Sequence, residues 1–320
     1  MTKLKNKQTI MLKDMNFEIL LKNLNKHNFL FDLDLVLEGG CMNGAYEIGG
    51  LMLIKEMEKL KYFKIKRISG ASVGGYAGFL YLIDKLDVYI NEYETMKEGF
   101  RETLTLIKLE EQLQKLVNEL SDSLFKSLQK GRLFIRFFDI NTQECILKNE
   151  YESRQELIDT ILKSCHMPFL INGKLFYEKN KRQYIDGGMP YIFKDYMEKE
   201  KRKTLYITLT RYDKIKSILN VSNEKTIHGR VLEGIIDTYN FFLKRHSTDM
   251  CSYVEEWGIV ENMRYCIFSY VYKILVYLIY ILYKIHEYVF PLISKTLIYE
   301  QFSPLLRRLY KSMVLSLVFN

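Results

Sequence analysis

Two glycine-rich turns, each preceded by a short apolar run, constrain this chain more than any other feature. Leu33 to Leu37 leads into Glu38-Gly39-Gly40-Cys41-Met42-Asn43-Gly44, and Ile65 to Ile68 leads into Gly70-Ala71-Ser72-Val73-Gly74. Both runs read as strands. After each turn the apolar spacing becomes helical: Ile48, Leu51, Met52, Ile54 and Met57 up to about Leu60, then Tyr76 to Leu86. The order is strand, turn, helix, strand, turn, helix. Two strands joined by a crossover helix run parallel, with both turns at one sheet edge. That is the edge where open α/β sheets carry their sites.

The remaining pattern extends the same architecture. Residues 100–130 read as amphipathic helix, Leu133 to Phe138 as a strand, and Gln155 to Leu162 as a helix stopped by Pro168. Gln183 to Ile185 and Leu205 to Leu209 read as further strands, and 226–245 as helix. The expected organisation is a polar, helical lead-in over 1–30, an α/β domain over 31–250 and an apolar, basic helical segment over 251–320.

The second turn has the form G-x-S-x-G. A serine hydroxyl is a weak nucleophile until a base removes its proton. A sharp strand-to-helix bend lifts Ser72 Oγ clear of the sheet, and Gly70 and Gly74 keep the crowded neighbours of that bend small. The first turn opens with Gly39 and Gly40, whose N–H groups can hold the oxyanion of a tetrahedral intermediate. Loss of one such donor typically costs roughly 10²–10³ in rate. A nucleotide loop is the competing reading. No Gly-Lys-Ser/Thr follows, which excludes a P-loop, and Cys41 breaks the dinucleotide pattern. A third element, Asp186-Gly187-Gly188, follows a short strand; taken alone it is an ordinary Asp-Gly turn. The three together suggest a serine acyl hydrolase.

These elements, in this order, resemble the patatin-like phospholipase family. The family pattern is a Gly-rich turn followed by Gly-x-Tyr, then G-x-S-x-G, then Asp-Gly-Gly or Asp-Gly-Ala. Here Glu38 to Tyr46, Gly70 to Gly74 and Asp186 to Gly188 carry it, over roughly residues 31–210. Ser164-Cys165-His166-Met167-Pro168-Phe169 also looks like the family's segment before its Asp motif. The resemblance implies a three-layer α/β/α sandwich with a mostly parallel central sheet. It also implies a Ser–Asp dyad, with Ser72 as nucleophile and Asp186 as proton acceptor. The turn Gly39, Gly40, Cys41, Met42, Asn43 and Gly44 would supply the oxyanion donors. No metal or cofactor is implied, and the expected substrate is a phospholipid or another acyl lipid.

Two positions depart from the family pattern. Cys41 replaces a third glycine and is strained if its φ is positive. Asn43 stands where Lys or Arg is usual, so one positive charge near the oxyanion is missing. A catalytically weak lipid-binding scaffold is therefore an alternative. A Ser…Asp…His triad drawing on His228 or His246 is another, because the chain order allows it.

Charge is uneven along the chain. The net charge is +8, and five of those excess charges fall between Arg264 and the C-terminus, where the sequence is otherwise apolar. No nucleic-acid motif accompanies them, and basic residues among Ile and Leu favour an anionic membrane surface. Between Tyr265 and Tyr283 only Lys273 is charged. A span would put Lys273 near the bilayer centre, at a cost of roughly 2.5–3.5 kcal/mol. Lys273, Tyr277, Tyr280, Lys284 and Glu287 instead form one polar stripe at helical spacing. The expectation is peripheral membrane association through 264–320. A C-terminal membrane anchor and a cap buried against the sandwich are the alternatives. The five cysteines are widely spaced and odd in number, as expected of free thiols in a reducing, intracellular compartment. The start of the chain lacks the apolar core of a secretory signal. Oligomeric state is not readable.

Overall fold

The computed structural model describes residues 17–24, 26, 31–129, 131–193, 202–210, 227–294 and 297–319. Most of the lead-in lies outside the described residues; within it, Phe17–Leu21 forms a short helix, α1.

The strands are β1 (Phe31–Leu37), β2 (Phe63–Ala71), β3 (Leu133–Asp139), β4 (Glu144–Lys148), β5 (Tyr177–Lys179), β6 (Arg182–Asp186), β7 (Lys203–Ile207) and β8 (Cys251–Tyr253). They join in one sheet in the order β5-β6-β3-β2-β1-β7-β8, with β4 also paired to β3. The central β3-β2-β1-β7 pairs are parallel, and the outer pairs are antiparallel. The helices that flank it are α2 (Gly44–Lys59), α3 (Val73–Leu82), α4 (Leu86–Thr103), α5 (Lys108–Asn118), α6 (Asp122–Leu128), α7 (Arg154–Cys165) and α8 (His228–Lys244). Two helices follow β8: α9 (Ile259–Ile293) and α10 (Leu297–Phe319). The architecture is the expected α/β/α sandwich.

Burial along β1 explains the layering. Leu33, Leu35 and Leu37 point into the main core with α2 and α3, whereas Val36 points to the other face and packs with Tyr206, Ile192 and Phe193. Both faces of this central strand are covered, as a parallel strand requires. Trp257 and Tyr265 lie against that second cluster, so the beginning of the C-terminal segment covers part of the second face.

Further along α9, Tyr272, Val276, Ile279, Tyr280 and Tyr283 pack on Phe138, Ile140, Phe176 and Ile185. These positions recur at spacings of three and four and form the docked stripe of the helix. Tyr280, expected on the polar stripe with Lys273 and Lys284, packs in this docked stripe instead. The rest of α9 is exposed and strongly apolar: Ile274, Leu275, Leu278 and Leu282 are each about half exposed or more. The stretch Ile259–Leu292 is long and apolar enough to cross a membrane, with an 18-residue window of mean hydropathy 1.8.

Candidate active site

Ser72 occupies the step between β2 and α3. Its backbone has φ 54° and ψ −132°, a left-handed φ that a non-glycine residue adopts only when its surroundings enforce it. The glycines on either side show how tight the bend is. A Cβ on Gly70 would lie 2.5 Å from the Gly74 carbonyl carbon, and one on Gly74 would lie 2.4 Å from the Leu37 carbonyl oxygen. The bend therefore brings α3 directly onto the end of β1.

Two side chains from the end of α7 hold Ser72 in place. The Ser72 N–H donates to Ser164 Oγ at 2.9 Å, and Ser164 Oγ donates to the Arg136 carbonyl at 2.7 Å. Cys165 Sγ donates to the Ser72 carbonyl at 3.3 Å. The next residue reaches the other motif, since Asp186 N–H donates to the His166 carbonyl at 3.0 Å. The Ser164-Cys165-His166 stretch thus ties the serine bend to the aspartate strand.

Strand register brings the two side chains together. On β3, Arg136 pairs with Ala71 and the next residue, Phe137, pairs with Asp186. Asp186 is 8% exposed. Desolvation pushes its carboxyl from the ordinary value up to about 6, partly offset by the neighbouring Ser72 hydroxyl and by the Gly188 N–H. The latter donates to Asp186 Oδ1 at 2.7 Å. Gly187 passes so close to β3 that a Cβ there would meet the Arg136 carbonyl oxygen at 2.1 Å. Gly188 has φ 68° and lies under the Tyr272 ring. The Tyr272 hydroxyl donates to the Asp186 carbonyl and the Tyr265 hydroxyl to the Pro190 carbonyl, so α9 rests on the loop that follows the aspartate.

The Gly39–Gly44 turn meets the same place. A Cβ on Gly39 would lie 2.9 Å from Ser72 Cβ. Among the described residues no acceptor is paired with the N–H groups of Gly39 and Gly40. Glu38 anchors the turn: its buried carboxylate accepts from Tyr206 Oη, Thr208 Oγ1 and the N–H groups of Leu209 and Thr210. Cys41 does adopt positive φ, 47°, and carries the strain expected of a non-glycine there. Met42 lines the adjoining pocket, Asn43 is fully buried, and Gly44 begins α2 with its missing side chain filled by Val73.

That pocket opens beside Ser72 and holds about 660 Å³ of empty space, its mouth included. Met96, Leu106, Leu109, Leu170 and Ile171 line it together with Tyr76 and Tyr89. Sequence reading missed it, because much of its wall comes from α4 and α5, which carry no motif. Neither triad histidine is at the site. His246 is exposed, with Nδ1 beside the Ser247 carbonyl. His228 is lowered by desolvation and feels Glu94, not Asp186.

Residues 35–191 match the family model described as patatin-like phospholipase. The crystal structure of VipD from Legionella pneumophila is similar over 67% of each chain, at 11% identity and a TM-score of 0.38. No curated protein matches the chain. Residues 35–191, which hold Ser72, Asp186 and the Gly39–Gly44 turn, are a patatin-like phospholipase domain.

Proposed function

We propose that this protein is a phospholipase A-type acyl hydrolase that works through a Ser72–Asp186 dyad. The reading is carried by strand register, which sets Ala71, the residue before Ser72, and Asp186 against adjacent residues of β3, with a desolvated Asp186 carboxyl and an apolar pocket that Ser72 lines. A carboxyl raised to about 6 is ionised at neutral pH, yet is a stronger base than an ordinary aspartate.

In this mechanism the acyl chain enters the pocket and Ser72 Oγ attacks the ester carbonyl carbon. The hydroxyl proton passes to the Asp186 carboxylate. The carbonyl oxygen becomes an oxyanion facing the N–H groups of the Gly39–Gly44 turn. Asp186 then protonates the departing lysolipid oxygen, leaving an acyl-serine. Water attacks that ester, gives its proton to Asp186, and releases the fatty acid while Ser72 regains its hydrogen.

The exposed apolar side of α9 is assigned to the surface of an anionic membrane. Support comes from its exposed Ile and Leu side chains and from the basic residues that accompany them in 264–320. The functional division is then an acyl hydrolase domain from residue 31 through β8 and a membrane-directed segment from α9 on, in an intracellular setting; the boundary expected at residue 250 would cut β8 from the sheet. A weak or inactive lipid-binding form is the second reading, favoured by the strained Cys41 in the turn. An activated alkyl phosphonate separates the two. The hydrolase reading expects stoichiometric labelling of the wild type and none of Ser72→Ala; an unlabelled, folded wild type would favour the binding protein.

A further inference from the structure

The Gly39–Gly44 turn has Asn43 where the family pattern carries a cation, yet a cation is buried against it. Arg230 is 2% exposed and lies in the first turn of α8. Its Nη1 donates to Asn43 Oδ1 at 2.9 Å. Asn43 Nδ2 donates to the Leu209 carbonyl at 3.1 Å, and the Asn43 N–H to the Gly40 carbonyl at 2.9 Å. One amide thus connects the guanidinium to the backbone of the turn.

The fold goes to some length to place Arg230 there. Helices α2 and α8 touch backbone to backbone: a Cβ on Gly49 would lie 2.0 Å from the Val231 carbonyl oxygen, and one on Gly234 would lie 1.9 Å from the Tyr46 carbonyl oxygen. Only glycine fits at either position. That approach sets the start of α8 beside the start of α2, where the turn ends. The guanidinium also lies over the Tyr46 ring, 5.5 Å from its centroid. Burying a guanidinium is costly unless it is well paired.

The field of Arg230 reaches the turn with the sign that favours an anion. Desolvation pushes the Cys41 thiol up to about 11; a backbone hydrogen bond at Met42 lowers it, Asp186 raises it, and Arg230 lowers it.

We propose that Arg230 is a positioning residue for the oxyanion turn. Through Asn43 it supplies, from α8, the positive charge that the family pattern carries on the turn itself. This rests on the acyl-hydrolase reading above. Arg230 does not touch substrate; it fixes Asn43 and stabilises negative charge as it develops. Asn43 is then suited to its place, because an amide oxygen accepts from the guanidinium whereas a lysine there would face a like charge.

Steady-state hydrolysis of p-nitrophenyl butyrate by the full chain tests this, with thermal melting of every variant and Ser72→Ala as control. Arg230→Met is expected to lower kcat about 10- to 100-fold with KM within about two-fold, a smaller loss than removal of a direct oxyanion donor at the upper end. Arg230→Lys is expected to keep most of kcat. Asn43→Lys alone is expected to be impaired. The double variant Asn43→Lys, Arg230→Met is expected to recover at least about ten-fold over Arg230→Met, since the charge returns to the turn. Should Arg230→Met fail to fold, Asn43→Ala, which leaves the arginine in place, is expected to show the same selective loss of kcat. Ser72-dependent hydrolysis that is as fast in folded Arg230→Met, or in Asn43→Ala, would overturn the inference alone. Equal losses in Arg230→Lys and Arg230→Met without rescue by the double variant would also overturn it, leaving only a packing role. A wild type without Ser72-dependent hydrolysis would remove the acyl-hydrolase reading itself and this inference with it.

Discussion

The Ser164 hydroxyl accepts a hydrogen bond from the backbone N–H of Ser72 at 2.9 Å and donates one to the Arg136 carbonyl at 2.7 Å. A residue at the end of one helix thereby holds the strained φ of a residue at the start of another. Ser164 is fully buried, so neither bond is replaceable by water. Ser164→Ala is expected to leave the Ser72 N–H and the Arg136 carbonyl without this partner. The expected cost is about 1–3 kcal/mol of stability, together with a fall in kcat larger than any change in KM. Urea unfolding and ester hydrolysis measure the two effects.

Asp186 gives a pH dependence of defined sign. Its folded value, about 6, lies above the ordinary 3.8. The native state therefore holds the proton more tightly than the unfolded chain, and stability falls as pH rises from about 4 to about 6. The shift corresponds to about 3 kcal/mol at neutral pH and above. Asp186→Asn keeps an acceptor for the Gly188 N–H without the buried charge. It is expected to be more stable than the wild type in urea at pH 8, with the advantage gone near pH 4, and to be inactive. In the wild type, kcat/KM is expected to drop below about pH 6 as Asp186 takes up its proton.

Glycine substitutions at two sites should diverge. Gly39→Ala puts a Cβ 2.9 Å from Ser72 Cβ, and neither the strained bend nor the turn can give way easily. Overpacking of this kind costs about 1–3 kcal/mol, and activity is expected to be lost. Gly229→Ala, in the first turn of α8 with nothing within 4 Å of the new Cβ, is expected to be neutral or to stabilise by up to about 1 kcal/mol. Melting curves and ester hydrolysis of the two variants provide the check.

The exposed side of α9 predicts a split between soluble and membrane substrates. Leu275→Glu, Leu278→Glu and Leu282→Glu combined alter side chains at least half exposed and outside the docked stripe. Hydrolysis of a soluble short-chain ester is expected to stay within two-fold of the wild type. Binding to anionic vesicles in flotation, and hydrolysis of their lipid, are expected to fall at least about ten-fold. Unchanged vesicle binding would contradict the membrane assignment of α9.

What could be read from the sequence was local or motif-borne. The strands β1, β2, β3, β6 and β7 carry apolar runs ended by turns, and the β1–β2 crossover made their parallel pairing inevitable. The helix expected over 100–130 proved to be the end of α4 followed by α5 and α6, with breaks at 104–107 and near Leu120 and Ser121, where Ser121 caps α6 by accepting from the Leu124 N–H. Strands β4, β5 and β8 were not anticipated; β5 and β8 have three residues each, and β4 is only partly buried, so none shows a strong alternation. At the site, G-x-S-x-G and Asp-Gly-Gly exposed the residues but not what supports them. Ser164 and Cys165 matter through their hydrogen bonds to one backbone unit, and Arg230 through a helix contact set by Gly49 and Gly234. Such long-range pairings leave no period in the sequence. The docked stripe of α9 is a further example: its Tyr and Val positions differ little in polarity from their exposed neighbours, so the partner surface, not the pattern, decides which side is buried.

The central claim is that Ser72, activated by Asp186, cleaves acyl esters of membrane lipids. Its most direct test is fatty-acid release from mixed anionic phospholipid vesicles with a chelator present, comparing the wild type with Ser72→Ala and Asp186→Asn. Release by the wild type and none above background by either folded variant is the predicted result. Equal release by Ser72→Ala, or no release by a folded wild type bound to the vesicles, would contradict it.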